Sequence, residues 1–222
     1  MIPNFHYVVE LFLLFLLITF LYQRWKYKHL SEKDQFTGTY HKHWLNTNLV
    51  NLMKKAKSTN KTLGIAFIDL DDFKALNDSR GHDYGDYVLL SIVKTIRSAV
   101  GKTGKLVRYG GDEFVFIAPD ITEENFSKIL SLIQKSIRNT GLVTVSIGGT
   151  MFYPDEELNF SNLISRADKA VYAAKGKGRN CIVMGHLASE NFHKNIINLA
   201  VEYKKENSSE IQKNIRVVGV NK

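Results

Sequence analysis

Residues 105–118 read KLVRYGGDEFVFIA, and this stretch decides the fold. Two strand-like apolar runs, Lys105–Tyr109 and Phe114–Ala118, are separated by two glycines and two acids. Glycine at a strand–strand junction supplies the positive φ angles that a tight hairpin needs, so the pattern predicts an antiparallel hairpin with its turn at residues 110–113. The turn would carry two carboxylates.

Upstream, residues Leu63–Leu70 read LGIAFIDL, a short continuous apolar run of the kind that forms a buried strand. If the hairpin pairs beside this strand, the carboxylates of Asp69, Asp112 and Glu113 meet at one edge of the sheet. Clustered carboxylates repel one another unless a cation neutralises them, and hard oxygen ligands suit magnesium. Two such ions about 4 Å apart would activate an attacking oxygen and stabilise a leaving one. For the hairpin taken alone, an acidic turn facing solvent is the alternative.

The remaining elements follow from apolar periodicity. Helical spacing predicts helices at His41–Ser58, Gly85–Val100 and Phe160–Lys175. A capping box of Asp120 and Glu123 predicts a further helix that ends at about Arg138. Strand-like runs predict strands at Leu142–Phe152 and Asn180–Met184. The order α-β-α-β-β-α-β-α-β predicts an α+β fold. Its centre would be a ferredoxin-like βαββαβ core, with a mainly antiparallel sheet flanked by helices.

The N-terminal segment reads as one membrane-spanning helix. Residues Ile2–Tyr22 are almost wholly apolar and just long enough to cross a bilayer, although Glu10 weakens this reading. Arg24, Lys26 and Lys28 follow directly, which predicts an outside N-terminus and a cytoplasmic remainder. A cleaved signal peptide is the alternative, but the segment lacks a basic start and a small-residue cleavage site.

The expected organisation has three parts. Residues 1–28 form the anchor with its basic flank, a short linker follows at His29–Lys33 within the domain of residues 29–185, and residues 186–222 form a C-terminal helix and polar tail of unknown role.

Composition excludes some classes of protein. The chain has 222 residues, 44% of them hydrophobic, which is typical of a folded domain with appendages. Its single cysteine, Cys181, excludes an intramolecular disulfide. The net charge of +8 fits a solvated basic surface, anionic lipid or a polyphosphate substrate. No basic run is interleaved with stacking aromatics, so nucleic acid is not an expected partner.

Five blocks of sequence resemble the GGDEF family of diguanylate cyclases. They occur in family order across residues 34–184: Asp69–Asp78, Gly81–Asp86, Arg108–Phe114, Ser146–Gly148, and a C-terminal block with Ala167-Asp168, Tyr172, Ala174-Lys175 and Gly178–Asn180. The resemblance implies a nucleotide-cyclase or palm-like fold. It also implies an enzyme that condenses two GTP into cyclic di-GMP and two pyrophosphates.

The resemblance also implies roles for individual residues. Metal ligands would be Asp69, the carbonyl of Leu70, Asp112 and Glu113, holding two Mg²⁺ or Mn²⁺ ions per active site. Catalysis would use Asp112 as acceptor of the ribose 3′-hydroxyl proton, with Glu113 and Lys74. Substrate would be bound by Asn77 and Asp86, which read guanine, and by His82, Lys175, Arg179, Gly110 and Gly111. A carboxylate at residue 86 suits guanine, because guanine offers two adjacent N–H donors and adenine would leave that carboxylate unpaired.

The family mechanism requires a homodimer, since each subunit holds one GTP and each 3′-hydroxyl attacks the other's α-phosphate. The location expected from the resemblance is a bacterial inner membrane, with the catalytic domain in the cytoplasm.

The match departs from the family at two places. The family's inhibitory product site, Arg-x-x-Asp, corresponds to Gly101 and Gly104, which predicts no feedback inhibition through it. In the opening block, Phe36 replaces the usual leucine and residues 39–42 also differ. That puts the fine positioning of the first helix of the domain in doubt.

Two other functions remain as alternatives. One is a catalytically silent module that binds GTP or cyclic di-GMP, or docks, at the membrane. The other is a polymerase-like or adenylyl cyclase-like enzyme, against which Asn77 and Asp86 argue.

Overall fold

The computed structural model describes residues 4–185, apart from the side chains of residues 4–6 and 25–31. The predicted C-terminal helix and tail, residues 186–222, lie outside the described residues. In chain order the elements are α1 (Asn4–Glu32), β1 (Tyr40–His41), α2 (Lys42–Ser58), β2 (Leu63–Leu70), α3 (Phe73–Arg80), α4 (His82–Val100), β3 (Lys105–Arg108), β4 (Glu113–Pro119), α5 (Glu123–Arg138), β5 (Val145–Phe152), α6 (Phe160–Gly176) and β6 (Ile182–Gly185).

The strands form one sheet in the order β1-β3-β4-β2-β5-β6. The four central strands, β3, β4, β2 and β5, pair antiparallel with one another, whereas β1 pairs parallel with β3 and β6 pairs parallel with β5. Consequently β2 and β3 run parallel with β4 between them, and β4 and β5 run parallel with β2 between them. These two interleaved β-α-β units are the ferredoxin-like core that the sequence predicts.

Helices cover both faces of the sheet. Ala66 and Ile68 of β2 pack in a core with α4 and α5, whereas Ile65 and Phe67 pack in a second core with α2 and α6. Side chains alternate between the faces of a strand, so Asp69 falls on the α2/α6 face. Glu113 lies directly opposite it on β4 and shares that face. The alternation thus assigns the carboxylates to one layer of the molecule.

The predicted capping box of α5 is wrong. The side chain of Thr122 caps the helix, accepting from the backbone N–H of Asn125 at 3.3 Å. Asp120 instead adopts a left-handed conformation with φ 55° and pairs with Lys61 at 3.0 Å. Thr122 is the cap because it directly precedes the first helical residue, Glu123, and its side-chain oxygen can therefore accept an N–H of the first turn.

Other boundaries also differ from the sequence prediction. The sequence does not predict strand β1, because its two residues are too few to show a periodicity, or helix α3, because its eight residues show only a weak one. Gly81, with φ 85°, ends α3, and α4 therefore begins at His82 rather than at Gly85. Strand β5 begins at Val145 rather than at Leu142.

The first helix continues past the predicted membrane segment. Helix α1 runs without a break to Glu32, so most of the predicted linker at residues 29–33 is helical. Its stretch Tyr7–Arg24 is long and apolar enough to cross a membrane, with a mean hydropathy of 1.6 and no buried side chain, although a signal sequence passes the same test. Membrane crossing therefore stays a prediction.

Candidate active site

Three carboxylates meet where β2 ends and the β3–β4 hairpin turns. Asp69 lies opposite Glu113 in the antiparallel β2–β4 pair. The next backbone contact joins the N–H of Leu70 to the carbonyl of Asp112 at 3.3 Å. The sequence-based expectation that the hairpin pairs beside this strand is confirmed.

The electrostatics of this edge show that the carboxylates interact. Burial raises the pKa of Asp69, and the charges of Asp112 and Asp71 raise it further, against the opposing effect of Lys175. Burial likewise raises the pKa of Glu113, and the charges of Asp69, Asp112 and Asp168 add to the rise. Asp69 and Glu113 are therefore harder to ionise, first because they are partly buried and then because other carboxylates are near, and a bound cation would relieve the repulsion.

Lys175 of α6 contacts this carboxylate cluster directly. Its Nζ donates to Oδ2 of Asp69 at 2.7 Å, across 106 positions of sequence. Sequence reasoning predicted that Lys175 faces a triphosphate, and the structure brings it to the carboxylate edge where phosphates would bind beside metal. This contact neutralises part of the negative charge of the cluster.

The glycines of the hairpin do not have the conformation expected from the sequence. Neither Gly110 nor Gly111 has a positive φ. The chain turns over a wider loop, in which the N–H groups of Tyr109 and Gly110 both donate to the carbonyl of Glu113, at 2.8 and 3.2 Å. A Cβ at residue 110 would lie 2.5 Å from Oε2 of Glu113, so a larger residue there would displace that carboxylate.

The predicted guanine-reading residues lie on the next two helices. Asn77 is on α3, whereas His82 and Asp86 are exposed on the first turns of α4. Oδ1 of Asn77 is buried and has no hydrogen-bond partner. A buried acceptor without a donor costs free energy, so this atom is suited to a ligand N–H. Lys74 is exposed on α3, and no contact joins it to the carboxylates.

Arg179 lies in the loop that follows α6. Its Nε is 3.3 Å from Oδ1 of Asp72, directly after the end of β2. Gly178, Arg179 and Asn180 all have positive φ, with values of 98°, 65° and 46°. Arg179 thus lies beside Asp72, two residues after the end of β2, and its phosphate-binding role stays a prediction.

Sequence reasoning missed the role of Asp71. The carboxylate of Asp71 is buried and accepts from the hydroxyls of Ser146 (2.6 Å) and Thr144 (2.7 Å) and from the N–H of Asn180 (3.0 Å). It therefore ties the end of β2 to β5 and to the loop that carries Arg179. The sequence did contain a signal: Thr144 and Ser146 lie two positions apart at the start of an apolar strand. Side chains two apart share one face of a strand, so this pair indicates a polar partner on that face.

Sequence reasoning also missed the contacts of Arg108. Its Nε and Nη2 donate to the carbonyl of Gly111 at 3.2 and 2.9 Å, and its Nη1 donates to Oδ1 of Asp34 at 3.3 Å. Asp34 also accepts from the N–H and hydroxyl of Thr37. Arg108 therefore fastens the hairpin to the segment that follows α1.

The donor set fits a hard divalent cation that completes its coordination with substrate. Asp69, Asp112 and Glu113 offer carboxylate oxygens and Leu70 a carbonyl at the same strand end. Across residues 4–185, however, no three His, Cys, Asp or Glu side chains form a ready-made metal cage. Magnesium usually takes one or two carboxylates plus substrate phosphates, so a partial protein cage is the arrangement expected for it.

A family model described as "Diguanylate cyclase, GGDEF domain" matches residues 31–181. The chain is 33% identical over 164 residues to the response regulator PleD of Caulobacter vibrioides, covering 69% of this chain and 36% of PleD. It is 32% identical over 177 residues to the diguanylate cyclase DgcS of Shewanella oneidensis, covering 75% of this chain and 58% of DgcS. The chain thus spans less than two thirds of the length of either relative.

Solved structures show the same fold. The GGDEF domain of DgcB from Caulobacter crescentus, in complex with c-di-GMP, superposes with a TM-score of 0.64 at 28% identity. The match covers 70% of this chain and 96% of the DgcB domain.

Proposed function

The chain belongs to the GGDEF domain family of diguanylate cyclases, and from that membership we propose that it condenses two GTP molecules into cyclic di-GMP and two pyrophosphates. The observation that carries the proposal is that Asp69, Asp112 and Glu113 come together at one strand end. Burial raises the pKa of Asp69 and of Glu113, and the charges of the neighbouring carboxylates raise both values further. In a solvent-facing acidic turn, Asp112 and Glu113 would be fully exposed, whereas here they are half-buried beside the buried Asp69.

Asp112 and Glu113 are the proposed catalytic acids. Asp112 would accept the proton of the 3′-hydroxyl as that oxygen attacks the α-phosphate of the second GTP. The proposed metal ligands are Asp69, the Leu70 carbonyl, Asp112 and Glu113. Two Mg²⁺ or Mn²⁺ ions bound there would neutralise phosphate charge and acidify the attacking hydroxyl.

Binding of GTP is assigned to residues on both sides of the carboxylates. Asn77 and Asp86 would accept the N–H donors of guanine, with His82 close to them at the start of α4. The cations Lys74, Lys175 and Arg179 would hold the triphosphate and offset the charge that grows on pyrophosphate. Gly110 and Gly111 would let the hairpin backbone approach the phosphates.

A homodimer is part of the proposal. Cyclic di-GMP is two-fold symmetric, so two identical sites facing each other can form both of its phosphodiester bonds. The domain assignment remains that of the sequence: an anchor at residues 1–28, the cyclase at residues 29–185, and an unassigned C-terminal part. We assign the protein to a bacterial inner membrane as a single-pass protein, supported by the exposed apolar helix Tyr7–Arg24.

The test is synthesis by the full chain in lipid vesicles. Addition of GTP and Mg²⁺ should give cyclic di-GMP and pyrophosphate. Asp112→Ala should lower the rate about 1,000-fold, because a general base is removed along with a metal ligand. The control is Asp155→Ala, an exposed carboxylate in the β5–α6 connection.

Two results would contradict the proposal. If the wild-type chain binds GTP but yields no product under any metal, the silent binding module is the better description. Equal rates for the two alanine variants would remove the assignment of Asp112.

A further inference from the structure

Gly85 on α4 is in contact with the side chain of Asn77 on α3. A Cβ at residue 85 would lie 1.8 Å from Oδ1 and 2.9 Å from Cγ of Asn77, and 3.2 Å from Cζ of Phe73. Gly85 is buried, and no positive φ requires glycine there. The conformation of the backbone therefore does not explain the glycine, whereas the close approach of the Asn77 amide does.

Asn77 gains no hydrogen bond from this close contact. Its Oδ1 is buried against α4 and lacks a donor. A buried amide oxygen without a donor is unfavourable for folding, so the side chain is held here at a cost. Such a cost is typical of a binding residue that is positioned before its ligand arrives.

Gly85 also connects the two proposed guanine-reading residues. It immediately precedes Asp86 on α4 and supports Asn77 from α3. The absence of a Cβ lets the Asn77 amide contact the helix that carries Asp86. Even a methyl group at residue 85 would displace the amide, because the far end of a flexible side chain moves more readily than a helix backbone does.

We propose that Gly85 is a specificity-determining residue that positions Asn77 for recognition of the guanine base. This inference rests on the proposed function, in which Asn77 and Asp86 read guanine. It assigns to Gly85 a role in base selection that is separate from metal binding and from the chemistry.

Ordinary helix packing is the competing explanation, and it predicts a different result. If Gly85 only lets α3 and α4 approach, alanine should force the helices apart and lower the melting temperature. If Gly85 supports the Asn77 side chain, alanine should leave folding intact, since alanine is the better helix former by up to about 1 kcal/mol.

The experiment compares Gly85→Ala with wild type in the full chain, using GTP and inosine triphosphate, which lacks the 2-amino group of guanine. We expect KM for GTP to rise about 10-fold, the size of effect that loss of one good hydrogen bond produces. We also expect kcat to change by less than about 3-fold and the preference for GTP over inosine triphosphate to shrink. The matched control is Gly176→Ala, where a Cβ would meet nothing within 4 Å.

A double-mutant cycle isolates the pair. In an Asn77→Ala background, Gly85→Ala should have no further effect on KM, because there is no amide left to displace. A Gly85→Ala effect that persists in that background overturns the inference. So does a Gly85→Ala variant that melts well below wild type and just as low in the Asn77→Ala background, since the glycine would then let the helices approach rather than position a binding side chain.

The outcomes also separate this inference from the proposed function. A wild-type chain that makes no cyclic di-GMP contradicts the function itself. A wild-type chain that makes it, together with a Gly85→Ala variant of unchanged KM and base preference, contradicts only the role of Gly85.

Discussion

At the scale of single residues, Asp71 holds the site together without being one of its proposed ligands. Its carboxylate accepts three hydrogen bonds from two segments far apart in sequence, and it lies two residues from Asp69. Only 6% of Asp71 is exposed, so each of these donors matters more than it would in water. The positions of Asp69 and of Arg179 both depend on this one side chain.

Asp71→Asn should therefore be costly despite its similar shape. Asparagine keeps one acceptor oxygen and adds two donors, so at least one buried donor loses its partner. We expect a loss of roughly 2 kcal/mol in the free energy of unfolding, measured by urea denaturation. Thr144→Val removes only one donor and should cost about 1 kcal/mol. Equal stability of wild type and Asp71→Asn would show that the three contacts are not formed in solution.

Tyr153 provides a pH-dependent contribution to stability. Its hydroxyl donates to Oε2 of Glu123 at 2.6 Å, and this hydrogen bond, with burial, raises the pKa of Tyr153 to about 12. A hydroxyl with a higher pKa in the folded state than in the unfolded state stabilises the fold at every pH where it is protonated in both states. The stabilisation is therefore complete below the unfolded pKa of 10.0 and is lost as the pH rises to about 12.

Tyr153→Phe should accordingly lower the free energy of unfolding by about 1 kcal/mol at pH 8. The difference between variant and wild type should shrink between pH 10 and pH 12. Chemical denaturation at several pH values measures it, with Tyr87→Phe at an exposed tyrosine of α4 as the control. A difference that stays constant up to pH 12 would mean that the Tyr153–Glu123 hydrogen bond is absent.

At the scale of elements, the packing of α6 against β5 sets the position of Lys175. A Cβ on Gly148 would lie 2.1 Å from the backbone N of Val171 and 2.4 Å from the carbonyl of Ala167. These are backbone atoms of a helix, which cannot move aside singly as a side chain can. The glycine thus lets α6 approach β5 closely enough for Lys175 to reach Asp69.

Gly148→Ala should push α6 outward. We expect a loss of roughly 3 kcal/mol in the free energy of unfolding, the upper range for overpacking a tight contact. The rate of product formation should fall by more than stability alone explains, because Lys175 would leave Asp69. Gly176→Ala in the same helix should change stability by less than about 0.5 kcal/mol. An active Gly148→Ala variant of normal stability would contradict the close packing.

The elements that the sequence predicts well are those with a strong local pattern. The run Leu63–Leu70 and the hairpin strands were identifiable because apolar runs of strand length end in acids or glycines. The conformation of Gly110 was not identifiable from the sequence, because the rule for tight hairpins takes no account of the Glu113 carboxylate lying against the turn. The contacts of Asp71 and of Lys175 join residues more than 70 positions apart, and no short-range pattern encodes such distances.

At the scale of the whole molecule, the predicted lack of the family's product-inhibition site depends on Gly101 and Gly104. Gly101 has φ 54° and an open surface, whereas a Cβ on Gly104 would lie 2.3 Å from the carbonyl of Ile117 on β4. A side chain at residue 104 would therefore disturb the central sheet.

Cyclic di-GMP added to the assay should then compete with GTP and produce no non-competitive inhibition. Initial rates at several GTP concentrations distinguish the two patterns. Strong inhibition that saturating GTP does not relieve would show that the protein has another product site.

The N-terminal helix reaches the hairpin through a short series of contacts. Helix α1 ends at Glu32, and the next residue, Lys33, forms a bridge with Tyr40 and places its Nζ 3.2 Å from the centre of the Tyr40 ring. Asp34 then pairs with Arg108, which holds the carbonyl of Gly111. The contacts of Lys33, Tyr40, Asp34 and Arg108 thus link the end of α1 to the β3–β4 hairpin.

Removal of residues 1–30 should therefore make activity depend on protein concentration. Two catalytic domains confined to one membrane meet at a high effective concentration, whereas free domains must find each other in solution. The specific activity of the shortened chain should rise with its concentration, in step with dimer measured by analytical ultracentrifugation, while that of the full chain in vesicles should not. Replacing residues 1–30 by an unrelated dimeric coiled coil should restore activity at low concentration, because the coiled coil supplies proximity without a membrane. A shortened chain that is fully active at nanomolar concentration as a monomer would contradict both the anchor's role and the need for two facing sites.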